Sequence, residues 1–212
     1  MLELIAQYAL PDMPHYPLLI LLHGLGSDEN DLLGLAPALP PGWGLASLRA
    51  PYPYGPGYQW YSLENIRDPE PADFAASLQA VESWVRAVPE HVPGADASRI
   101  VLGGFSQGSV MAVSAGFSGR LNDLLAGVCV MSGYVPDHAV LASGPRPVFW
   151  GHGAADGVLP LALGQAGVQR LEGLGVAVSF HQYPMGHEVC AAEMADLSAW
   201  LEALPENRQA GR

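Results

Sequence analysis

Residues 99–113 read RIVLGGFSQGSVMAV, and this stretch decides the fold. An apolar run of strand length leads into a glycine-rich turn around Ser106, and an apolar run with helical spacing begins at Val110. The turn, Gly104-Phe105-Ser106-Gln107-Gly108, matches G-x-S-x-G, in which a serine sits on a sharp strand-to-helix turn. The motif alone is weak, because a glycine-rich turn with an incidental serine is the alternative. The flanking strand and helix favour a candidate nucleophile.

Strand-length apolar runs alternate with helical stretches on both sides of this turn. The runs, including the one before the turn, are residues 17–23, 45–50, 99–103, 127–131, 148–151 and 176–183. Helical spacing predicts helices from Pro71 to Pro89, in residues 189–204, after a capping Asp28, and from Pro160 to Leu171. Runs that are apolar on both faces, such as residues 18–22, are typical of parallel strands. The sequence therefore predicts an α/β fold with a mostly parallel sheet and helices on both faces.

The composition bounds the class of protein. At 212 residues we expect one domain, residues 1–205, and a flexible C-terminal tail, residues 206–212. All nine basic residues are Arg, which excludes mechanisms that need a catalytic Lys. The net charge of −12 argues against nucleic acid as a partner. No apolar run approaches the roughly 18 residues of a membrane span, and the first ten residues do not resemble a signal peptide. We expect a cytoplasmic protein with reduced cysteines and no stable membrane insertion.

A serine hydroxyl needs an imidazole to take its proton, and the imidazole needs a carboxylate to orient it. In this fold class the order along the chain is Ser, then Asp or Glu, then His, with each residue following a strand. Asp156 follows the strand that ends near residue 151, and His187 follows the strand that ends near Tyr183. Asp137 is an alternative acid. His181 is an alternative base, although it lies inside a predicted strand and should point at a sheet face.

The tetrahedral intermediate of acyl transfer requires donors for its oxyanion. The sequence indicates two backbone N–H groups, those of Leu25 and Gln107, and it assigns no role to the Gln107 side chain. His23, at the end of its strand, is interpreted as a structural histidine that bonds a nearby backbone carbonyl. No cluster of His, Cys, Asp or Glu has the spacing of metal ligands, so we expect no metal and no cofactor.

The substrate pocket is predicted from residues that flank these loops. Trp60, Tyr61, Val158 and Met185 are candidates for an apolar substrate site, and simple packing is the alternative for the aromatic pair. Residues 49–71 form a long Pro-, Tyr- and Gly-rich connection, which is interpreted as irregular and functional. Its tyrosines at 52, 54 and 58 are candidates for the pocket entrance, and apolar surface near it could serve a homodimer. The acidic net charge favours neutral esters over anionic ones.

Six segments together resemble the phospholipase/carboxylesterase family of α/β-hydrolases, which includes small bacterial carboxylesterases and acyl-protein thioesterases. They are LHGLG at 22–26, AP at 50–51 leading to QWY at 59–61, GFSQG at 104–108, MSGY at 131–134, HG at 152–153 with Asp156, and GHE at 186–188. The resemblance implies Ser106 as nucleophile, Asp156 as acid and His187 as base, with oxyanion donors at Leu25 and Gln107. It also implies hydrolysis of carboxylic esters or thioesters without cofactor, metal or large cap domain.

Two departures bear on the substrate. Ser109 stands where many family members, especially the thioesterases, have Gly, and residues 27–31, which read SDEND, resemble the bacterial carboxylesterase branch. We therefore expect a serine carboxylesterase that acts on small neutral esters. An acyl thioesterase or lysophospholipase with the same residues is the alternative, and a noncatalytic ligand-binding scaffold is a remote one.

Overall fold

The computed structural model describes residues 2–65, 68–144 and 146–205. The strands are β1 (Ala6–Ala9), β2 (Tyr16–Leu22), β3 (Gly44–Leu48), β4 (Tyr52–Tyr54), β5 (Gly57–Gln59), β6 (Leu63–Asn65), β7 (Asp68–Pro69), β8 (Ala95–Phe105), β9 (Leu125–Met131), β10 (Val148–Gly153) and β11 (Val178–Tyr183). The helices are a 3-10 helix (Asp31–Ala38), α1 (Pro71–Arg86), α2 (Val88–His91), α3 (Gln107–Gly116), α4 (Leu161–Glu172) and α5 (Ala191–Ala203). The predicted tail, residues 206–212, lies outside the described residues.

Seven strands form one sheet in the order β1-β3-β2-β8-β9-β10-β11. All neighbouring pairs are parallel except β1 with β3, which are antiparallel. The predicted mostly parallel α/β fold is confirmed, and all six predicted strands are present. In a parallel sheet the loops after the strands meet at the carboxyl edge, where ligand sites form. That edge receives the turn after β8 and the loops after β2, β10 and β11.

Helices cover both faces of the sheet, as predicted. Alternate residues of β2 enter different cores: Leu18, Ile20 and Leu22 pack in the core that contains residues of α1, α3 and α4. Leu19 and Leu21 pack in the core that contains residues of α5 and the 3-10 helix. Because successive side chains of a strand point to opposite faces, an unbroken apolar run is required where both faces are covered.

Several local predictions need correction. The segment after Asp28 is a 3-10 helix that begins at Asp31 with Asn30 as N-cap; Asp28 Oδ1 instead accepts the Asn30 N–H at 2.8 Å. The helix from Pro71, predicted to continue to Val88 before Pro89 ends it, ends at Arg86, and Val88 and Pro89 lie in the short helix α2. The connection over residues 49–71, predicted to be irregular, contains two small antiparallel pairs, β4 with β5 and β6 with β7.

The antiparallel edge strand β1 was not predicted, because its four residues show no apolar run.

Packing explains the two glycines inside α4, the helix after Pro160. A Cβ at Gly164 would lie 2.6 Å from the imidazole of His152, and one at Gly167 would lie 2.5 Å from the indole of Trp150. Among the described residues, no helix combines the length and the apolar character needed to cross a bilayer.

Candidate active site

Ser106 occupies the turn between β8 and α3 in a strained backbone conformation. Its φ of 53° and ψ of −120° lie in a region that non-glycine residues rarely adopt. The turn is tight enough to exclude side chains on either side of it. A Cβ at Gly104 would lie 2.5 Å from the backbone of Gly108, and a Cβ at Gly108 would lie 2.0 Å from the carbonyl oxygen of Leu22. The two glycines of the motif are therefore required by sterics.

Hydrogen bonds within the turn hold this conformation. The Ser106 N–H donates to the carbonyl of Met131 at 3.0 Å, which ties the turn to β9. The hydroxyl of Ser109 donates to the Ser106 carbonyl at 2.7 Å. Gly133 leaves room for that hydroxyl, since a Cβ there would lie 2.1 Å from it. In the sequence Ser109 stands out only as a departure from a glycine, and nothing there indicates its hydrogen bond to the Ser106 carbonyl.

His187 follows β11 and reaches both predicted partners. Its Nε2 lies 2.8 Å from Ser106 Oγ, and its Nδ1 lies 2.7 Å from Asp156 Oδ2. The ring of Phe105 packs on the imidazole with centroids 4.9 Å apart. With Nδ1 donating to the carboxylate, Nε2 is left as an acceptor for the serine proton. Residues that are 31 and 81 positions apart in sequence are thus brought into one hydrogen-bonded array.

Asp156 lies in the loop after β10 and is buried. Its Oδ1 accepts the N–H groups of Val158 and Leu159 at 2.9 and 2.8 Å. Burial raises the pKa of this carboxyl, but the hydrogen bonds from His187, Leu159 and Val158 outweigh burial, and the net pKa is below its ordinary value. Asp156 is therefore ionised at neutral pH and can stabilise a positive charge on the imidazole.

The structure does not bring the two alternative residues into the array. His181 lies in β11 and stacks on Phe149, with its Nε2 2.9 Å from the hydroxyl of Ser179. Asp156, not Asp137, is the carboxylate hydrogen-bonded to His187. His152 packs against the loop of Asp156, since its Nε2 lies 2.8 Å from the carbonyl of Leu159 and 3.6 Å from Asp156 Oδ2.

The two predicted oxyanion donors lie at the same edge of the sheet as Ser106. Gln107 is the first residue of α3, where the N–H groups of a helix have no partner within the helix. Leu25 belongs to the loop after β2, and both residues line the cavity beside Ser106. The two residues after Leu25 fix its loop through hydrogen bonds to Tyr58. The Gly26 N–H donates to the Tyr58 carbonyl and the Tyr58 N–H donates to the Ser27 carbonyl, each at 2.8 Å.

The side chain of Gln107 has a contact that sequence reasoning missed. Its Oε1 accepts the N–H of Trp60 at 2.8 Å, and its Nε2 donates to the carbonyl of Tyr61 at 2.8 Å. The residue is buried. The expectation of a backbone-only role therefore needs correction, because the amide satisfies two backbone groups of the adjacent segment. The sequence gives no sign of this contact, because it joins two segments that are about 46 residues apart and become neighbours only in the folded chain.

His23 has the structural role that was predicted for it. Its Nδ1 lies 2.7 Å from the Gly24 carbonyl, and its Nε2 accepts the Ala50 N–H at 3.0 Å. Burial lowers the pKa of His23 despite the Gly24 carbonyl and nearby carboxylates, which oppose that change. A neutral ring with its proton on Nδ1 satisfies both contacts and joins the ends of β2 and β3.

A cavity of about 330 Å³ opens beside Ser106 and His187. Its other lining residues are Gly24, Leu25, Ser27, Asp31, Tyr61, Leu63, Phe105, Gln107, Tyr134, Val158 and Leu159. The predicted pocket residues Tyr61 and Val158 are in this wall. Asp31, Leu63 and Tyr134 are lining residues that the sequence did not indicate.

The other two predicted pocket residues lie elsewhere, and their assignment is corrected. Trp60 is fully buried behind the cavity, and its indole N–H donates to the His23 carbonyl at 2.9 Å. Met185 is buried in the loop before His187, and its carbonyl accepts the Ala155 N–H at 3.1 Å. Both residues hold loops of the site in place. The three tyrosines at 52, 54 and 58 also lie outside the lining set.

The arrangement can activate a hydroxyl for attack on a carbonyl. A serine, an imidazole and an ionised carboxylate are connected in series, and backbone N–H groups lie beside the serine. Within residues 2–65, 68–144 and 146–205 there is no group of three or more His, Cys, Asp or Glu that could hold a metal ion.

Comparison with known proteins gives a family model described as Phospholipase/Carboxylesterase that matches residues 5–204. The acyl-protein thioesterase 1 of Cryptococcus neoformans is 30% identical over 233 aligned positions, which cover 92% of this chain and 95% of that protein. The solved carboxylesterase of Bacillus cereus is similar with a TM-score of 0.84 and 22% identity, covering 94% of this chain and 93% of that one. The acyl-protein thioesterase 2 of Zea mays has a TM-score of 0.75 and 21% identity over 94% and 98% of the two chains.

Proposed function

This chain belongs to the phospholipase/carboxylesterase family of α/β-hydrolases, and we propose that it is a serine carboxylesterase that hydrolyses small neutral carboxylic esters through an acyl-enzyme. The observation that carries the proposal is the array from Ser106 through His187 to Asp156, with contacts of 2.8 and 2.7 Å, beside a mainly apolar cavity. No cofactor takes part in the proposed reaction.

In the first half-reaction the Ser106 oxygen attacks the ester carbonyl while His187 Nε2 takes the hydroxyl proton. The carbonyl oxygen becomes an oxyanion that accepts hydrogen bonds from the N–H groups of Leu25 and Gln107. His187 then gives its proton to the alcohol oxygen as the bond between carbonyl carbon and alcohol breaks. Asp156 remains ionised, since the pKa of its carboxyl is held below the ordinary value, and it stabilises the imidazolium.

The second half-reaction repeats these steps with water. His187 takes a proton from water, whose oxygen attacks the acyl carbon, and the tetrahedral intermediate collapses to the carboxylic acid. The proton returns from His187 to Ser106, which regenerates the starting state. The cavity volume of about 330 Å³ suits a small substrate better than a long acyl chain.

Hydrolysis of a nitrophenyl ester series, from acetate to palmitate, tests the proposal. We expect kcat/KM to be highest for acyl chains of about two to six carbons and to fall at least about tenfold for palmitate, because the cavity cannot enclose the longer chain. Ser106→Ala should lower kcat about 10⁶-fold. Turnover by Ser106→Ala at the wild-type rate would refute the mechanism, and an inactive wild type would support a noncatalytic ligand-binding scaffold.

An acyl thioesterase that uses the same residues is the second candidate. The similarity to the Cryptococcus neoformans protein, named an acyl-protein thioesterase, favours it. Phenyl thioesters with the same acyl chains separate the two candidates, as does lysophosphatidylcholine for a lysophospholipase. Faster thioester than ester turnover at equal chain length, or a maximum at long chains, would promote these alternatives.

A further inference from the structure

The cavity contains one carboxylate that the proposed reaction does not use. Asp31 is the first residue of the 3-10 helix, and it is one of the residues that line the cavity. Among the lining residues that the structure describes, Asp31 is the only acid, and His187 is the only one that can carry a positive charge. The wall is otherwise formed by apolar, aromatic and uncharged polar side chains. Asp31 is therefore the one carboxylate among the described lining residues that could act directly on a bound group.

The position of the Asp31 carboxylate is fixed by its neighbours. The hydroxyl of Ser27 donates to Asp31 Oδ2 at 2.7 Å. Ser27 is itself anchored, since its carbonyl accepts the Tyr58 N–H at 2.8 Å. The neighbouring Glu29 differs, because it is buried and makes a bidentate ion pair with Arg49. Among the described residues no Arg forms an ion pair with Asp31, so no described guanidinium neutralises its charge beside the cavity.

Aromatic side chains add a second feature to the same cavity. Tyr61, Phe105 and Tyr134 line it together with Asp31. Aromatic groups combined with a carboxylate are suited to quaternary ammonium groups, which are attracted both by charge and by the ring faces. An isosteric neutral group gains neither attraction, and an anionic group is repelled by the carboxylate.

We propose that Asp31 is a specificity-determining residue that favours esters carrying a quaternary ammonium group over neutral esters of the same shape. The inference rests on the proposed function and extends its substrate class from neutral esters to cationic ones. Because Asp31 is exposed at one side, solvent and salt screen its charge, and the effect is several-fold rather than many orders of magnitude.

Two pairs of isosteric esters test the proposal. In the first pair, butyrylcholine and 3,3-dimethylbutyl butyrate differ only in the replacement of N⁺ by carbon on the alcohol side. In the second pair, ethyl 4-(trimethylammonio)butanoate and ethyl 5,5-dimethylhexanoate differ in the same way on the acyl side. The measured quantity is the ratio of kcat/KM for the cationic ester to that for its neutral counterpart, with turnover by Ser106→Ala subtracted as background.

For at least one pair we expect a wild-type ratio above about three that falls as NaCl rises from 20 to 300 mM. Asp31→Asn should lower that ratio about three- to tenfold, because it removes the charge and retains the shape. Asp28→Asn is the matched control, since it removes the same charge from the same loop at a residue outside the cavity wall. It should change the ratio by less than about 1.5-fold.

Ratios that Asp31→Asn leaves unchanged for both pairs, or that Asp28→Asn lowers equally, would overturn the inference. If the wild type cleaves the neutral esters with no preference for either cationic partner, this inference fails while the proposed esterase function stands. If the wild type cleaves none of the four esters, the proposed function fails and the inference fails with it.

Discussion

Glu193 gives the sharpest test of the core, because it is a carboxyl with no exposed surface in the first turn of α5. It faces β10 so closely that a Cβ at Gly151 would overlap its carboxyl. Burial raises the pKa of Glu193 from 4.5 to about 8, and the backbone N–H of Cys190 opposes this only in part. The folded protein thus holds a neutral carboxylic acid at this position at neutral pH.

The pH dependence of stability follows from this pKa. Between pH 4.5 and about 8 the unfolded chain loses the Glu193 proton while the folded chain keeps it. The unfolded state then binds fewer protons, so the free energy of unfolding falls as pH rises through this range. The two pKa values differ by about 3.5, and one pKa unit corresponds to about 1.4 kcal/mol, so the loss approaches about 5 kcal/mol. Relaxation around the ionised group reduces this to about 3 to 5 kcal/mol.

Glu193→Gln removes the titration and nearly conserves the volume. We expect the free energy of unfolding of this variant, relative to wild type, to improve by about 3 to 5 kcal/mol between pH 5 and pH 8.5. Urea unfolding at four pH values with constant m measures it. The nearby Cys129 thiol and Tyr183 phenol do not contribute to this change in stability with pH. Burial raises the pKa of each group, so both remain neutral between pH 5 and pH 8.5.

Glu202→Gln is the control, since it removes the same carboxyl from an exposed position of α5. Its pH profile should run parallel to that of wild type. If the free energy of unfolding of Glu193→Gln also follows that of wild type within about 1 kcal/mol from pH 5 to pH 8.5, the burial argument is refuted.

Three further variants test the site and its turn. Asp156→Asn should lower kcat about 10⁴-fold with little change in circular dichroism, because an amide cannot hold the required imidazole tautomer; a loss below about tenfold would contradict the assignment. Gln107→Met should lower the free energy of unfolding in urea by about 2 to 4 kcal/mol, since two buried backbone groups lose their partners. Gln165→Met, at an exposed position, is its control. Equal small losses in both variants would argue that the Gln107 side chain does not stabilise the segment of Trp60 and Tyr61. Gly108→Ala should not fold, because its Cβ would lie 2.0 Å from a carbonyl oxygen, whereas Gly157→Ala, whose Cβ would meet nothing within 4 Å, should fold normally. Wild-type thermal melting of Gly108→Ala would contradict the steric argument.

The features that could be predicted from sequence have a local signal. The apolar run in β2 identifies a strand covered on both faces, because periodicity reports burial directly. Ser106, Asp156 and His187 could be predicted because the fold class dictates their order and their places after strands. The structure then places these three side chains within hydrogen-bond distance.

The features that could not be predicted depend on which way neighbouring side chains turn. Trp60 and Tyr61 are adjacent in sequence, yet Tyr61 lines the cavity while Trp60 lies behind it with its indole on the His23 carbonyl. Nothing in the composition of that segment separates the two roles. The sequence does not indicate the position of Asp31 beside the cavity either, since an acid at the start of a helix is ordinarily explained by its favourable interaction with the helix N-terminus.

The segment from Tyr58 to Tyr61 explains why the connection after β3 matters although most of it lies outside the cavity wall. Its first residue pairs with the loop of Leu25, and its last two residues pair with the side chain of Gln107. The two proposed oxyanion donors come from different elements, and this segment joins both of them. Donors act on an oxyanion only if their separation is fixed before charge develops. If Leu25 and Gln107 are the donors, as proposed, the contacts of this segment would help to fix the spacing of their two backbone N–H groups.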